Sequence, residues 1–269
     1  MPILQLEDAD IHYETFGEGK PFLFLAATAT LGEVWKRFQI PDFSRDHRVI
    51  IFDQRGTGQT KTNSKDFSTG RLAADAAALL DHIEEKNAIV LGHSMGGRVA
   101  QVLALDHPGY ASKLILASTG ASFPTRGIPL SMCLELVERG YERYLHEHSV
   151  EVGFTPEFVA ANRKLVDDFL AVRLSHTPSL ETFLRLVIAR TETDTSARLK
   201  DIRVPTLVTV ADGEGQPDAS GISHIDSSEA LARDIPNARF EVIRGHGHYY
   251  LFVDPEPTHK IIRDFLAKT

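Results

Sequence analysis

Cysteine is almost missing from this chain, which has one, Cys133, among 269 residues. A single cysteine excludes an intramolecular disulfide and a zinc site built from cysteines. Its simplest role is that of a side chain packed in a helix. We therefore expect a reduced protein of the cytoplasm.

Excess basic charge and long apolar runs are missing as well. The 29 lysines and arginines face 37 aspartates and glutamates, so the net charge is −8 at pH 7. Nucleic acids and anionic membranes bind basic patches, so neither is an expected partner. No apolar run approaches the length that crosses a bilayer. Residues 1–19 alternate polar with apolar side chains, as in a strand hairpin rather than a signal peptide.

Signatures of bound cofactors are absent too. The sequence contains no metal-site spacing, no phosphate-binding loop and no dinucleotide fingerprint. We therefore expect neither a cofactor nor a metal, and the expected partner is a small-molecule substrate.

What the sequence does contain is an alternation of strands and helices. Short unbroken apolar runs, such as 22–26 and 49–53, are typical of strands buried on both faces. Helical patterns separate them, as at 67–86 and 95–107. The alternation predicts an α/β fold class, with a mostly parallel central sheet and helices on both faces.

One segment, 121–201, has a different pattern of apolar and polar residues. It has no convincing strand, its apolar residues recur at helical spacing, and Pro156 and Pro178 stand where helices would start. We interpret it as an inserted helical lid of three or four helices. The core domain would then comprise 1–120 and 202–269.

The strongest chemical signal is the run Gly-His-Ser-Met-Gly-Gly at 92–97. It follows an apolar stretch at 88–91 and precedes a helical pattern at 98–107. Gly-x-Ser-x-Gly between a strand and a helix is the nucleophile elbow, in which the flanking glycines leave room for a sharp turn. The pattern predicts Ser94 as the nucleophile.

A serine needs a base and an acid to act as a nucleophile at neutral pH. The base is expected on a loop after the last strand. The segment Gly-His-Gly-His at 245–248 follows that strand, so His246 and His248 both qualify.

These motifs resemble the α/β-hydrolase superfamily, specifically its branch of small lidded esterases, lactonases and C–C hydrolases. Members commonly carry Gly-x-Gly-His here and a proline about seven residues later, which Pro255 matches. The resemblance implies that His248 is the base and His246 a neighbour. It also implies that His93, beside the nucleophile, has a supporting role.

The resemblance covers nearly the whole chain. Residues 52–58, Phe-Asp-Gln-Arg-Gly-Thr-Gly, look like the family's Asp-x-Arg-Gly-x-Gly turn. That likeness implies a structural role for Asp53 and Arg55. Residues 204–208 resemble the strand that leads to the catalytic acid.

The identity of the acid is open. Members usually place an aspartate three residues after the small residue that ends this strand, and after Ala211 that position holds Glu214. A glutamate can serve in such a triad. The alternative is Asp212, and Asp218 and Asp226 lie farther along the chain.

The oxyanion hole departs from the family pattern. Two backbone N–H groups must face the developing negative charge. One is expected from Met95, at the N-terminus of the elbow helix. The other is expected from Ala27, where many members have the glycine of a His-Gly pair. Because this His-Gly pair is missing, a reaction that forms no acyl-enzyme remains an alternative.

The resemblance implies a serine hydrolase that cleaves a small, partly apolar ester or lactone through a Ser-His-acid triad and an acyl-enzyme. The alternatives are base catalysis on the same fold, as in cofactor-independent dioxygenases and lyases, and C–C bond hydrolysis. A silent binding protein is the least favoured. Six arginines of the insertion could meet a substrate carboxylate, although most are expected on solvated helix faces: Arg126, Arg139, Arg143, Arg173, Arg185 and Arg190.

Overall fold

A computed structural model describes residues 2–215 and 223–269 of the chain. Its centre is one sheet of nine strands within those residues. The strands are β1 (Ile3–Gln5), β2 (Ala9–Phe16), β3 (Lys20–Leu25), β4 (His47–Phe52), β5 (Lys61–Thr62), β6 (Ala88–His93), β7 (Ala111–Ala117), β8 (Thr206–Ala211) and β9 (Arg239–Ile243).

The sheet runs in the order β1-β2-β4-β3-β6-β7-β8-β9, with β5 paired to β2. The pairs from β4 to β9 are parallel, and β1 and β2 add an antiparallel edge. The mostly parallel sheet is therefore confirmed. The strands β3, β4 and β6 carry the unbroken apolar runs because helices cover both of their faces.

Helices cover the sheet on both sides. They are α1 (Gln39–Phe43), α2 (Thr69–His82), α3 (Met95–Asp106), α4 (Leu130–Arg139), α5 (Tyr141–Gly153), α6 (Pro156–Ala161), α7 (Arg163–Arg173), α8 (Leu180–Glu192), α9 (His224–Asp234) and α10 (Pro255–Lys268), with 3₁₀ turns at Gly32–Lys36, Ser196–Asp201, Asp212–Glu214 and Tyr250–Phe252. Among the residues described, no helix combines the length and apolar character needed to span a membrane.

The segment between β7 and β8 holds α4 to α8, five helices where the sequence suggested three or four. All of its residues are described, and none of them forms a strand. The extra boundary is at Gly140, whose φ of 77° ends α4 and starts α5 without a loop. Glycine adopts this left-handed backbone without the steric cost that other residues have.

A buried ion cluster fixes the turn after β4. The Arg55 guanidinium is fully buried and donates to Asp75 at 2.6 and 2.8 Å and to Asp8 at 2.9 and 3.0 Å. The carboxylate of Asp53 accepts the N–H groups of Gly32 and Gln59, both at 2.8 Å. These contacts tie the N-terminal hairpin to α2, as the structural role inferred for Asp53 and Arg55 requires.

Replacing Arg55 should therefore destabilise the fold. We expect Arg55→Met to lower the free energy of unfolding by about 3–5 kcal/mol, because two carboxylates lose their buried partner. Arg71→Met is the matched control. Arg71 pairs with the same Asp8 and Asp75 but is one-third exposed, so we expect a loss of about 1 kcal/mol or less. Urea unfolding monitored by circular dichroism measures both, and equal losses would contradict the assignment.

Candidate active site

The sharpest turn of the site is at Ser94, between β6 and α3. Its φ of 54° and ψ of −115° lie outside the regions that serine normally adopts. Two contacts hold it there: the Ser94 N–H donates to the Ala117 carbonyl at 2.8 Å, and Thr119 Oγ1 donates to the Ser94 carbonyl at 2.7 Å. Backbone strain that the surroundings maintain in this way is typical of functional sites.

The two glycines of the motif are required by close backbone packing. A Cβ at Gly92 would lie 2.3 Å from the Gly96 carbonyl oxygen, and a Cβ at Gly96 would lie 2.1 Å from that of Leu25. Both distances are too short for any side chain. The first turn of α3 therefore packs directly on the end of β3, and the serine is held at the carboxyl edge of the sheet.

An acid and a base meet beside this turn. His248 Nδ1 lies 2.5 Å from Glu214 Oε2, and both side chains are buried. Because Nδ1 donates to the carboxylate, Nε2 of the neutral ring is left as an acceptor. The other oxygen, Oε1, accepts the hydroxyl of Ser118 at 2.5 Å and the Ala211 N–H at 3.1 Å.

Asp212 occupies a different place. It is exposed, and its Oδ1 accepts the Gly245 N–H at 2.7 Å, so it holds the start of the histidine loop. Asp226 accepts from Ser223 at the N-terminus of α9. Of these described acids, Glu214 alone is hydrogen-bonded to His248. Asp218 lies outside the described residues.

The other two histidines that the sequence singled out take different positions. His93 is fully buried, and its Nε2 donates to the His248 carbonyl at 2.8 Å, so it supports the loop that carries His248. His246 lies 3.1 Å from Asp254 and packs against Phe158. This arrangement agrees with the supporting and neighbouring roles that the resemblance implied for them.

Two residues near the acid and base had no sequence signal. Ser118 follows β7, and its hydroxyl donates to Glu214. His224 begins α9, and its ring centre lies 5.1 Å from that of His248. Contacts between segments so far apart in the chain leave no local pattern.

Glu214, His224 and His248 could together hold a cation, because one ligand atom of each lies within 4.8 Å of the others. Glutamate and imidazole ligands suit zinc and related metals. A metal bound at Nδ1 of His248 would replace the hydrogen bond to Glu214. A metal bound at Nε2 would occupy the nitrogen that accepts the proton in base catalysis. Metal binding and base catalysis therefore exclude each other here.

A cavity of about 250 Å³ connects the parts of this site. Its lining includes Ser94, Met95 and His248, together with side chains of the insertion. Ala27 lies in the loop after β3 and is not part of the lining. The cavity thus brings together three of the predicted site residues, and the role of Ala27 as an oxyanion donor stays a prediction.

The surroundings favour a neutral His248. Burial is the main cause that lowers its pKa, and the positive charges of Arg190 and Arg173 lower the pKa further. The Glu214 carboxylate stabilises the imidazolium and opposes this lowering. Burial likewise lowers the pKa of His224 to about 4, so this ring is also uncharged at neutral pH.

Comparison with known proteins gives consistent results. A family model described as alpha/beta hydrolase fold matches residues 20–255. A protein of Azorhizobium caulinodans named as a carbamate hydrolase, RutD, is 30% identical over 100% of this chain and 99% of its own length.

Solved structures agree on the architecture. A thermophilic esterase from Thermogutta terrifontis, solved with malate bound, has a TM-score of 0.83 and 25% identity, over 100% of this chain and 99% of the other. An enol-lactonase from Burkholderia xenovorans has a TM-score of 0.86 at 21% identity, over 99% and 100%. At that identity the second match supports the fold alone.

The first test concerns the acid. Glu214→Gln should reduce kcat about 10⁴-fold, because an amide cannot stabilise the imidazolium and leaves His248 in the wrong tautomer. Asp212→Asn is the control, since Asp212 contacts the Gly245 N–H and not His248, and we expect it to keep most of the activity. Steady-state hydrolysis of a 4-nitrophenyl ester measures both. A fully active Glu214→Gln, or the opposite ranking, would move the role to Asp212.

The second test is the pH dependence. If neutral His248 is the base, kcat/KM rises as pH rises through its lowered pKa. The midpoint should then lie below the ordinary histidine value of about 6.5, with a plateau at neutral pH. His248→Ala should abolish the activity, and His246→Ala should keep the same acidic limb. A midpoint above 6.5, or loss of the limb in His246→Ala, would refute this assignment.

Proposed function

Because this chain belongs to the α/β-hydrolase family and is an enzyme of that fold, we propose that it is a serine hydrolase acting on a small, partly apolar ester or lactone. The observation that carries the proposal is the 2.5 Å hydrogen bond between Glu214 and His248, at the cavity that Ser94 also lines. A buried acid that holds a histidine beside a strained serine matches the requirements of acyl transfer.

In the proposed mechanism, the Oγ of Ser94 attacks the substrate carbonyl while Nε2 of His248 accepts its proton. Glu214 stabilises the imidazolium that forms. The Met95 N–H, at the N-terminus of α3, faces the negative charge of the tetrahedral intermediate, and Ala27 is the candidate for the second donor. The imidazolium then protonates the leaving alcohol. Water, activated by the same histidine, releases the acid from the enzyme.

The insertion supports a role as a lid. Its helix α5 ends against the histidine loop, where the His248 N–H donates to the Val152 carbonyl at 3.3 Å and the Tyr249 N–H to the Gly153 carbonyl at 3.0 Å. Insertion side chains such as Met132 and Tyr144 line the cavity. A cavity of about 250 Å³ with this apolar wall suits a small substrate that is partly apolar.

A second candidate is base catalysis by His248 and Glu214 without an acyl-enzyme. The observation that favours it is the loop after β3, which lacks the His-Gly pair and leaves Ala27 outside the cavity lining. With one oxyanion donor fewer, a tetrahedral intermediate is less well stabilised.

Covalent labelling separates the two candidates. A serine-reactive phosphonate should label the wild type at Ser94, and Ser94→Ala should take no label at that position, as read by mass spectrometry. We expect Ser94→Ala to reduce kcat by roughly 10⁴–10⁶-fold, as in other triads. An unlabelled wild type, together with full turnover by Ser94→Ala, would favour the base-only candidate.

A further inference from the structure

Two arginines line the same cavity as Ser94 and His248. Arg98 lies on α3, one helical turn beyond Ser94, and Arg190 lies on α8 of the insertion. Their guanidinium carbons are 4.8 and 5.5 Å from the ring centre of Phe123, which also lines the cavity. The two positive groups therefore lie at one side of the cavity, against one aromatic ring.

Arg98 is a buried cation, and one of its N–H groups makes no hydrogen bond within the described part of the chain. It is 5% exposed, and its Nη2 donates to the Ser122 carbonyl at 3.1 Å. Its Nη1 is buried and has no hydrogen-bond partner among residues 2–215 and 223–269. Among the described residues, the carboxylate of Asp194 acts on the Arg98 charge without a hydrogen bond to it. A guanidinium in this state is stabilised by any anion that reaches it.

The described part of the cavity lining is positive although the chain is acidic. Glu135 is the one carboxylate in the described part of the lining, and it is paired with Arg139 at 3.5 Å. The imidazoles of the lining are kept neutral by burial, as for His148, whose pKa is lowered to about 4. Arg98 and Arg190 thus give the described part of the lining a net positive charge in a chain of net charge −8. Such a local field attracts negatively charged small molecules.

Four other arginines of the insertion are held by contacts of their own. Arg139, Arg143 and Arg185 form ion pairs with glutamates of their own or the next helix. Arg173 is buried and donates to the Tyr249 hydroxyl at 2.9 Å. None of these four lines the cavity. Of the six arginines that were candidate carboxylate ligands from the sequence, Arg190 is the one that lines the described part of the cavity.

We propose that Arg98 and Arg190 bind a carboxylate of the substrate, so that the enzyme acts on esters or lactones that carry a free carboxylate a few atoms from the scissile carbonyl. This inference rests on the proposed function, since Ser94 would cleave the same molecule. Guanidinium groups match a carboxylate with two parallel hydrogen bonds, and the one-turn separation of Arg98 from Ser94 suits a short dicarboxylic acid chain.

The test compares two substrates that differ in one charge. Mono-4-nitrophenyl glutarate has a free carboxylate, and its methyl ester has the same chain with that charge capped. At about pH 8, where histidine is neutral, the kcat/KM ratio of free acid to capped ester should be well above one for the wild type. Because a hydrogen bond to a charged group is strong, the ratio should fall about 10–100-fold in Arg98→Gln and in Arg190→Gln.

Arg185→Gln is the matched control. It removes the same charge from the same helix, but the Arg185 side chain pairs with Glu181 outside the cavity. We expect its ratio to equal that of the wild type. Arg190 is half-buried, so Arg190→Gln decides the matter if the buried Arg98→Gln does not fold. An unchanged ratio in Arg190→Gln, with both esters hydrolysed, would overturn the inference and leave the proposed function standing.

A binding measurement distinguishes failure of the proposed function from failure of the proposed carboxylate site. If the wild type hydrolyses neither ester, the hydrolase proposal fails, and calorimetric titration of Ser94→Ala with glutarate then tests the anion site alone. We expect glutarate to bind, and the added Arg190→Gln change to weaken its Kd by about tenfold or more. Absence of glutarate binding, or an unchanged Kd, would overturn the inference.

Discussion

The hydrogen bond between Glu214 and His248 is the contact on which the rest of the site depends. It joins the ends of two neighbouring strands, β8 and β9, and Ser118 extends it to the end of β7. His93, at the end of β6, supports the same histidine through its carbonyl. Four adjacent parallel strands therefore end in one hydrogen-bonded network. In such a sheet the carboxyl ends lie at one edge, which is where ligand sites of open α/β sheets form.

Burial gives this network its chemical character. Taking His248 out of water disfavours its charged form, and the nearby arginines act in the same direction. The carboxylate of Glu214 acts in the opposite direction and stabilises the imidazolium once a proton arrives. The same low-dielectric surroundings lower the pKa of Arg98 to about 9, and its Nη1 has no hydrogen-bond partner among the described residues. Burial thus keeps His248 neutral, whereas Arg98 keeps its charge at neutral pH in spite of burial.

Much of the fold and part of the site could be predicted from local pattern. The unbroken apolar runs and the helical segments between them indicated the parallel sheet, and the hairpin at the N-terminus appears as β1 and β2. Helical spacing at 33–43 predicts one helix, but the structure has a 3₁₀ turn followed by α1, since Pro41 lacks the N–H that a continuous helix would need and fits the first turn of a new one. The two-residue strand β5 is too short to have a pattern of its own.

Ser94 could be recognised from the sequence because the elbow is a local motif. Its glycines are set by backbone contacts within a few residues and with the neighbouring strand. The choice between Glu214 and Asp212 was different, since both follow the same strand and both carry a carboxylate. Their surroundings in the tertiary structure differ: Asp212 accepts from the Gly245 amide, and Glu214 is buried against His248. Arg98 is the same case, because an arginine on a helix shows its burial and its cavity only after distant segments have packed around it.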